Sequence, residues 1–443
     1  MRKWRKYLII TVGGLGLVGC SSPSLTDNSS PSELTDSNTE VVESIETTIE
    51  VDFWHAMSGN TEIALKNLIE SFNKGVGAEK GIIINPINQG SYEELKSKTT
   101  AAIKASETPG IAQAYSTFIS EYLQANVVEP LNDYIFDKEI GIKNFEDIYE
   151  SYRKENSQYT DEEIYYSLPF NKSTEVLFYN KTFFEDYDLT IPITWDDMEI
   201  LSQHIYELTG NFALGIDSTA NYFITMLKQY GGDYTSSNGA ILFGENDAAL
   251  KALELFNRNA EAGYWRLAGE DKSISTLFIN GTLPMYIGSS NGASYVYNDL
   301  FEWDSAPIPQ ISDETKTVIQ QGANVVVFNQ NKTPEEIYAA YEFAKYLCSS
   351  EGNLQWVQET GYLPVRQSIV ESAEYKTYVK MSGDTTKLTG PKQASSYYYE
   401  PAFFTDAYSA NQVRTKVGVA VEQIVFSQME PQIALENLLN LFK

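Results

Sequence analysis

Cysteine and histidine are almost missing from this chain of 443 residues, which has two of each: Cys20 and Cys348, His55 and His204. Two cysteines so far apart give neither a disulfide framework nor a cysteine zinc site. Two isolated histidines add no histidine zinc centre, and no metal or other cofactor is expected. The phosphate loop G-x-x-x-x-G-K-[ST] is absent, so any ATP hydrolysis belongs to a partner protein. Positive charge is scarce: 32 Lys and Arg stand against 60 Asp and Glu, for a net charge of −28. A body of that sign does not attract nucleic acid or an anionic membrane through its overall field, though it leaves room for a local cationic pocket. Long apolar runs are also lacking. After the first twenty residues no stretch stays apolar for 18 positions, so nothing in the body is built to span a bilayer. What remains is 42% hydrophobic with a mean hydropathy of −0.30, enough for a sizeable core in a soluble body. The length exceeds one compact core and suits two lobes.

The N-terminus carries the one apolar run, Tyr7–Gly19, behind Arg2, Lys3, Arg5 and Lys6. As a helix it would reach about 20 Å, short of a bilayer core of about 30 Å. A charged start, a short apolar stretch and small residues before a cut describe a secretory signal peptide over residues 1–19. The sequence Leu17-Val18-Gly19-Cys20 resembles the lipobox of bacterial lipoproteins. That resemblance implies cleavage before Cys20, lipid on its sulfur, and a protein anchored outside the cytoplasm on the cell membrane. Residues 20–48 follow as the lipidated cysteine and a linker rich in Ser and Thr, with too few large apolar groups to offset the entropy of ordering. Such a coil reaches roughly 30 Å. Cys348, left without a partner, is expected as a buried thiol in a helix.

Order is expected from Ile49. Residues Ile49, Val51 and Phe53 alternate with polar neighbours as in a half-buried strand. Leu65, Leu68, Ile69 and Phe72 then fall on one helical face, in a helix opening near Asn60 or Thr61. Further strands are expected at Gly81–Ile87, Gly110–Tyr115, Val176–Tyr179, Met285–Ile287 and Val325–Phe328. Helices are expected at Tyr92–Ala105, Phe118–Ala125, Trp195–Leu208, Ala248–Ala262, Pro334–Ser349 and Gly352–Thr360, and from Asn411 onward. Strand–helix alternation with short connections gives an α/β fold with a largely parallel sheet. With no low-complexity break after the linker, two lobes would be interwoven: 49–160 with about 308–362, and about 165–305 with 366–443.

One catalytic pattern occurs. Gly288-Ser289-Ser290-Asn291-Gly292 fits G-x-S-x-G after a strand. That chemistry needs the order Ser, acid, His, and both histidines precede Ser290. A catalytic serine is therefore not expected, and the chain is not read as an enzyme. Carboxylate pairs keep a secreted glycosidase lipoprotein open as another class, and a tethered adhesin as a third.

Several segments together resemble the solute-binding proteins of bacterial ABC importers, in the carbohydrate-associated group, and within it the glycerol-phosphate-binding members of Ugp importers. They are Phe53-Trp54-His55-Ala56-Met57, Gly90-Ser91-Tyr92-Glu93, the run Leu168–Lys181 with Pro192 and Thr194-Trp195-Asp196-Asp197, and Thr360-Gly361-Tyr362-Leu363-Pro364-Val365. The resemblance implies a two-lobed fold of the periplasmic-binding-protein kind, its ligand cleft between lobes joined by crossing segments. It implies a monomer that hands a small solute to membrane permease subunits. Carried over residue by residue, it points to Tyr92, Ser173, Gly322 and Tyr362 as ligand contacts, then Ser289 or Ser290. Ser116 stands where the family has an acidic contact, and Asp406 near the expected place of a phosphate-binding arginine. Trp54 and His55 are further candidates at the edge of the cleft. Tyr397-Tyr398-Tyr399 either line the cleft or pack between lobes. Because a carboxylate repels phosphate where arginine grips it, a neutral sugar or polyol is the expected solute, with glycerol phosphate or a glycerophosphodiester as the alternative.

Overall fold

The structure is a computed structural model that describes residues 47–269, 273–296 and 299–443. The signal segment, Cys20 and the linker up to residue 46 lie outside the described residues.

Among the described residues ten strands make one sheet: β1 (Ile49–His55), β2 (Ile82–Asn88), β3 (Ile111–Ala114), β4 (Leu168–Asn180), β5 (Leu214–Ile216), β6 (Trp265–Leu267), β7 (Met285–Ser289), β8 (Trp303–Ala306), β9 (Val318–Val327) and β10 (Tyr397–Tyr398). Their order is β2-β1-β3-β9-β4-β7-β5-β6, with β8 on β4 and β10 on β9. Parallel pairs at the two ends, β2-β1-β3 and β7-β5-β6, are joined by antiparallel β9 and β4.

The alternation of side chains along these strands builds layers on both faces. Ile111, Val325 and Val327 point into a core with Phe53, Leu65, Phe72, Phe343 and Trp356, while Ala112, Ala114, Val326 and Phe328 pack on the other face against Phe118 and Tyr122. The second half repeats the plan. Leu177, Met285 and Ile287 join a core with Trp195, Phe223, Phe256, Trp265 and Val417, and Val176, Phe178 and Tyr286 meet Phe278 on the opposite side. Each half is thus a sheet covered on both faces, as nearly parallel sheets require.

β4 departs most from its sequence expectation. Only Val176–Tyr179 has the apolar content of a strand, yet the strand begins at Leu168. Its first part pairs with β9 (Leu168↔Val325 through Thr174↔Gln320) and its second with β7 and β8 (Glu175↔Ser289, Asn180↔Trp303). The strand therefore crosses from one half to the other. Residues 171–175, Asn-Lys-Ser-Thr-Glu, are all polar and all at most 3% exposed. No hydrophobic period marks them, and a register shift at Pro169–Asn171 removes the alternation further. β9 likewise begins seven residues ahead of its expected start at Val325, at Val318.

Gly322 of β9 lies where the two strands approach most closely. Its φ is +97°, and a Cβ there would sit 2.0 Å from the carbonyl oxygen of Asn171. Both the backbone conformation and the contact demand glycine. Gly322→Ala should lower the unfolding free energy by about 2–3 kcal/mol, as measured by urea denaturation followed by far-ultraviolet circular dichroism.

Candidate functional site

A cavity of about 710 Å³ lies over the crossing strands. Its floor is β4 and β9, through Asn171, Ser173, Gln320, Gln321 and Gly322. One wall comes from the starts of the helices Tyr92–Ala105 and Ser116–Tyr122, and the facing wall from the start of Thr219–Gln229 and one face of Ala410–Phe426 from Asn411 to Glu422. Local sequence sets these starts. Ser91 accepts from the Glu94 amide (3.3 Å) while the Glu94 carboxylate accepts from the Ser91 amide (2.7 Å), a reciprocal cap that leaves Tyr92 as the first helical residue at the cavity. Ser218 caps the helix Thr219–Gln229 with a single bond, its hydroxyl accepting from the Asn221 amide at 3.3 Å. Helix starts bring unpaired N–H groups and a partial positive charge to the cavity.

The polar side chains that the crossing strand buries here are each hydrogen-bonded. Asn171 Nδ2 donates to the Tyr92 hydroxyl (3.0 Å), and its Oδ1 accepts from Gln113 Nε2 (3.0 Å). Lys172 Nζ donates to Glu155 Oε2 at 2.6 Å. Ser173 accepts from the Ser289 hydroxyl (3.1 Å), Thr174 Oγ1 donates to the Ile319 carbonyl (2.9 Å), and Glu175 Oε1 accepts from Asn221 Nδ2 (2.9 Å). Aromatic faces complete the wall. Tyr92 and Tyr115 stack with ring centroids 4.5 Å apart, and Tyr362 stacks on Trp356 at 5.5 Å.

Six of the residues singled out in the sequence come together here: Tyr92, Ser116, Ser173, Ser289, Gly322 and Tyr362 all line the cavity. Four do not line it. Ser290 is fully buried, with its Oγ accepting from the Thr174 amide at 3.3 Å, so this hydroxyl holds the crossing strand rather than a solute. His55 is buried in β1, where its Nδ1 accepts from the Met57 amide (3.3 Å) and burial lowers its pKa to about 4. Trp54 packs in the layer with Phe118 and Tyr122. Asp406 is exposed in the turn before the last long helix. Of the three consecutive tyrosines only Tyr399 reaches the cavity, whereas Tyr397 and Tyr398 pack against the cores. His204 is exposed on its helix, and Cys348 is buried with its thiol pushed up to about 11 by burial.

The inference from a lost arginine needs correction. An arginine does line the cavity: Arg414, in the first turns of the helix Ala410–Phe426. Its guanidinium is already engaged, bonded to the Glu400 carboxylate and to Asn221 Oδ1. Around it stand Glu93, Glu155, Asp217 and Glu422. Sequence reading passed over Arg414, Glu400, Asn171, Asn221 and Gln320. The available signal was position: Asn221 lies in the first turn of its helix and Arg414 at the opening of the second turn of its own, where side chains reach a cavity mouth. Burial raises the pKa of Glu400 and Asp217, and pushes Glu175, just beneath the cavity, up to about 7.

A family model described as bacterial extracellular solute-binding protein matches residues 67–383. The sn-glycerol-3-phosphate-binding periplasmic protein UgpB of Pectobacterium atrosepticum is 24% identical over 410 residues, covering 88% of this chain and 89% of the relative. UgpB from Mycobacterium tuberculosis, solved in complex with glycerophosphocholine, superposes with a TM-score of 0.75 at 19% identity, over 89% of this chain and 97% of that one. The cyclic alpha-maltosyl-1,6-maltose binding protein from Arthrobacter globiformis gives 0.74 at 21% identity, over 89% and 98%. These likenesses establish the two-lobed α/β architecture.

The buried Glu175 carboxyl makes stability depend on pH. A carboxyl whose folded pKa stands above its unfolded one contributes stability below the unfolded value, and this is lost as pH rises through the folded value. Relative to Glu175→Gln, the parent protein should lose thermal stability as pH rises from about 4.5 through about 7, then run parallel above that, in paired melts by differential scanning calorimetry.

Proposed function

This chain belongs to the bacterial extracellular solute-binding proteins, and from that premise we propose that it captures a sugar or short oligosaccharide in the cavity over β4 and β9 and delivers it to the permease of an ABC importer. The supporting observation is the lining. Its one arginine is held by Glu400 and Asn221, while tyrosine faces, hydroxyls, amides and carboxylates surround the space. Hydroxyl-rich solutes donate to carboxylates and amides and lay their apolar faces on tyrosine. A phosphate would meet Glu93, Glu155, Asp217, Glu400 and Glu422 instead. The volume suits a small ligand, within the range of roughly 300–1,000 Å³ common for such sites.

In this reading the halves are lobes, 49–160 with about 308–362 and about 165–305 with 366–443. A solute touching both walls biases the hinge toward closure, and the permease distinguishes the two forms. Lipid on Cys20 and the linker to Thr48 hold the receptor near its permease, raising its effective concentration. A glycerol phosphate or glycerophosphodiester is the second reading, favoured by Arg414 and by what the UgpB relatives are named for.

A thermal-shift screen of neutral mono- and disaccharides against glycerol 3-phosphate and glycerophosphodiesters tests the choice. Sugars should raise the melting temperature, and Tyr92→Ala and Tyr362→Ala should each weaken their binding about tenfold or more, about 1.4 kcal/mol, without unfolding the protein. Stabilisation by the phosphates alone contradicts the sugar reading. The anchor has its own check: the full chain expressed in a bacterium should incorporate labelled palmitate, and Cys20→Ala should abolish the label and release the protein from the membrane fraction.

A further inference from the structure

Outside the cavity lining lies a buried cation whose bonds do not go to a carboxylate. Lys387, in the helix Thr386–Lys392, is fully buried. Its Nζ donates to three backbone carbonyls: Val357 (3.1 Å), Thr360 (2.6 Å) and Tyr362 (2.7 Å). An ammonium has three donors and no acceptor, so the group is used in full. Burial lowers its pKa to about 8, which leaves it charged at neutral pH. Taking that charge out of water is costly. The charge-assisted bonds offset part of the cost, one of them to the last turn of the helix Ser350–Glu359, where carbonyls carry partial negative charge.

The segment held in this way is the one that brings Tyr362 to the cavity. Its ring lines the space and stacks on Trp356, with centroids 5.5 Å and planes 13° apart. The amides of the segment have partners of their own: Tyr362 N donates to Thr360 Oγ1 (3.3 Å) and Leu363 N to the Lys172 carbonyl (2.8 Å). The carbonyls on either side of Gly361 are the ones that meet Lys387. The backbone is also closely seated. A Cβ on Gly361 would stand 2.4 Å from the Asn291 carbonyl oxygen, and one on Gly390 2.4 Å from Leu363 Cδ1.

Lys387 reaches this segment from the other half of the molecule. Its helix is tied to β8, where the Ser305 amide donates to Thr385 Oγ1 (3.1 Å) and the Ser305 hydroxyl to Thr389 Oγ1 (3.0 Å). Tyr362 and Trp356 belong to the core of the first half. We infer that Lys387 is a positioning residue for solute binding: anchored in the second half, its ammonium holds the main chain around Gly361 so that the Tyr362 ring faces the solute. The inference rests on the reading of the cavity as a solute site. It holds for a sugar or a phosphate alike.

A double-mutant cycle on the chain from Ser21 onward tests it, by isothermal titration calorimetry with maltose, cellobiose and glycerol 3-phosphate as probes. For a probe that binds the parent, Lys387→Met should weaken binding about tenfold, the scale of one lost charged hydrogen bond. Combined with Tyr362→Ala, it should add less than about twofold to the loss from Tyr362→Ala alone. Hydrogen–deuterium exchange should quicken about fivefold or more over residues 358–363 in Lys387→Met and stay unchanged in β2. Lys387→Gln, shorter but with two N–H donors, runs through the same cycle if the methionine variant does not fold. Losses that multiply in the double variant, or unchanged affinity in Lys387→Met, overturn the inference and leave the cavity reading intact. A parent that binds none of the probes contradicts the cavity reading, and the inference with it.

Discussion

Everything in this molecule depends on burying five consecutive polar side chains, Asn171 to Glu175, in the strand that passes from one half to the other. Unpaired, each would cost kilocalories. Each is paired with a different element: Asn171 with Gln113 and Tyr92, Lys172 with Glu155, Ser173 with Ser289, Thr174 with Ile319, Glu175 with Asn221. Both halves must be folded and correctly set for the strand to be satisfied. The Lys172–Glu155 pair is the most demanding of these. Removing one member of a buried ion pair costs about 3–5 kcal/mol because it strands the other, so the strand admits few alternatives.

The same strand makes the cavity floor, which explains why the site is polar at depth. Side chains that hold the strand, Asn171 and Ser173, also face the cavity, and their partners Tyr92 and Ser289 line its walls, as does Asn221, the partner of Glu175. Structure and recognition share one network. Arg414 belongs to that network through Asn221 and Glu400, so the one cation that lines the cavity among the described residues is committed to the protein before any solute arrives. Helix starts on both walls make a cluster of carboxylates tolerable there, while the raised pKa of Glu175, Asp217 and Glu400 records the cost of burying them away from water.

Where the sequence carried a period or a cap, it was legible. The helix Tyr92–Ala105 is readable to the residue because Ser91 and Glu94 form its cap, and β1 and β2 because apolar residues mark them. β4 was legible only over Val176–Tyr179, because its polar half is stabilised by partners as distant in sequence as Gln320 and Ser289, and no local pattern encodes those. β5, β6, β8 and β10, each two to four residues long, carry too little pattern to be seen. At the cavity, the hydroxyl and tyrosine candidates that line it came through family resemblance. Arg414 was missed because resemblance was carried to the exposed turn at Asp406, although the arginine enters from the helix that follows. Ser290 stands between the cavity residues Ser289 and Asn291 in sequence but is fully buried, a distinction that only the fold can make.

The central claim is that a solute bound over the crossing strands draws the two walls together. Spin labels on Ser97→Cys and Lys416→Cys, both exposed and on helices of facing walls, report that distance. In the chain from Ser21 onward Cys348 is buried and does not compete for label. With the sugar that stabilises the protein most, pulsed electron–electron resonance should show the distance distribution shorten and narrow. A distribution unchanged at saturating sugar would contradict the account.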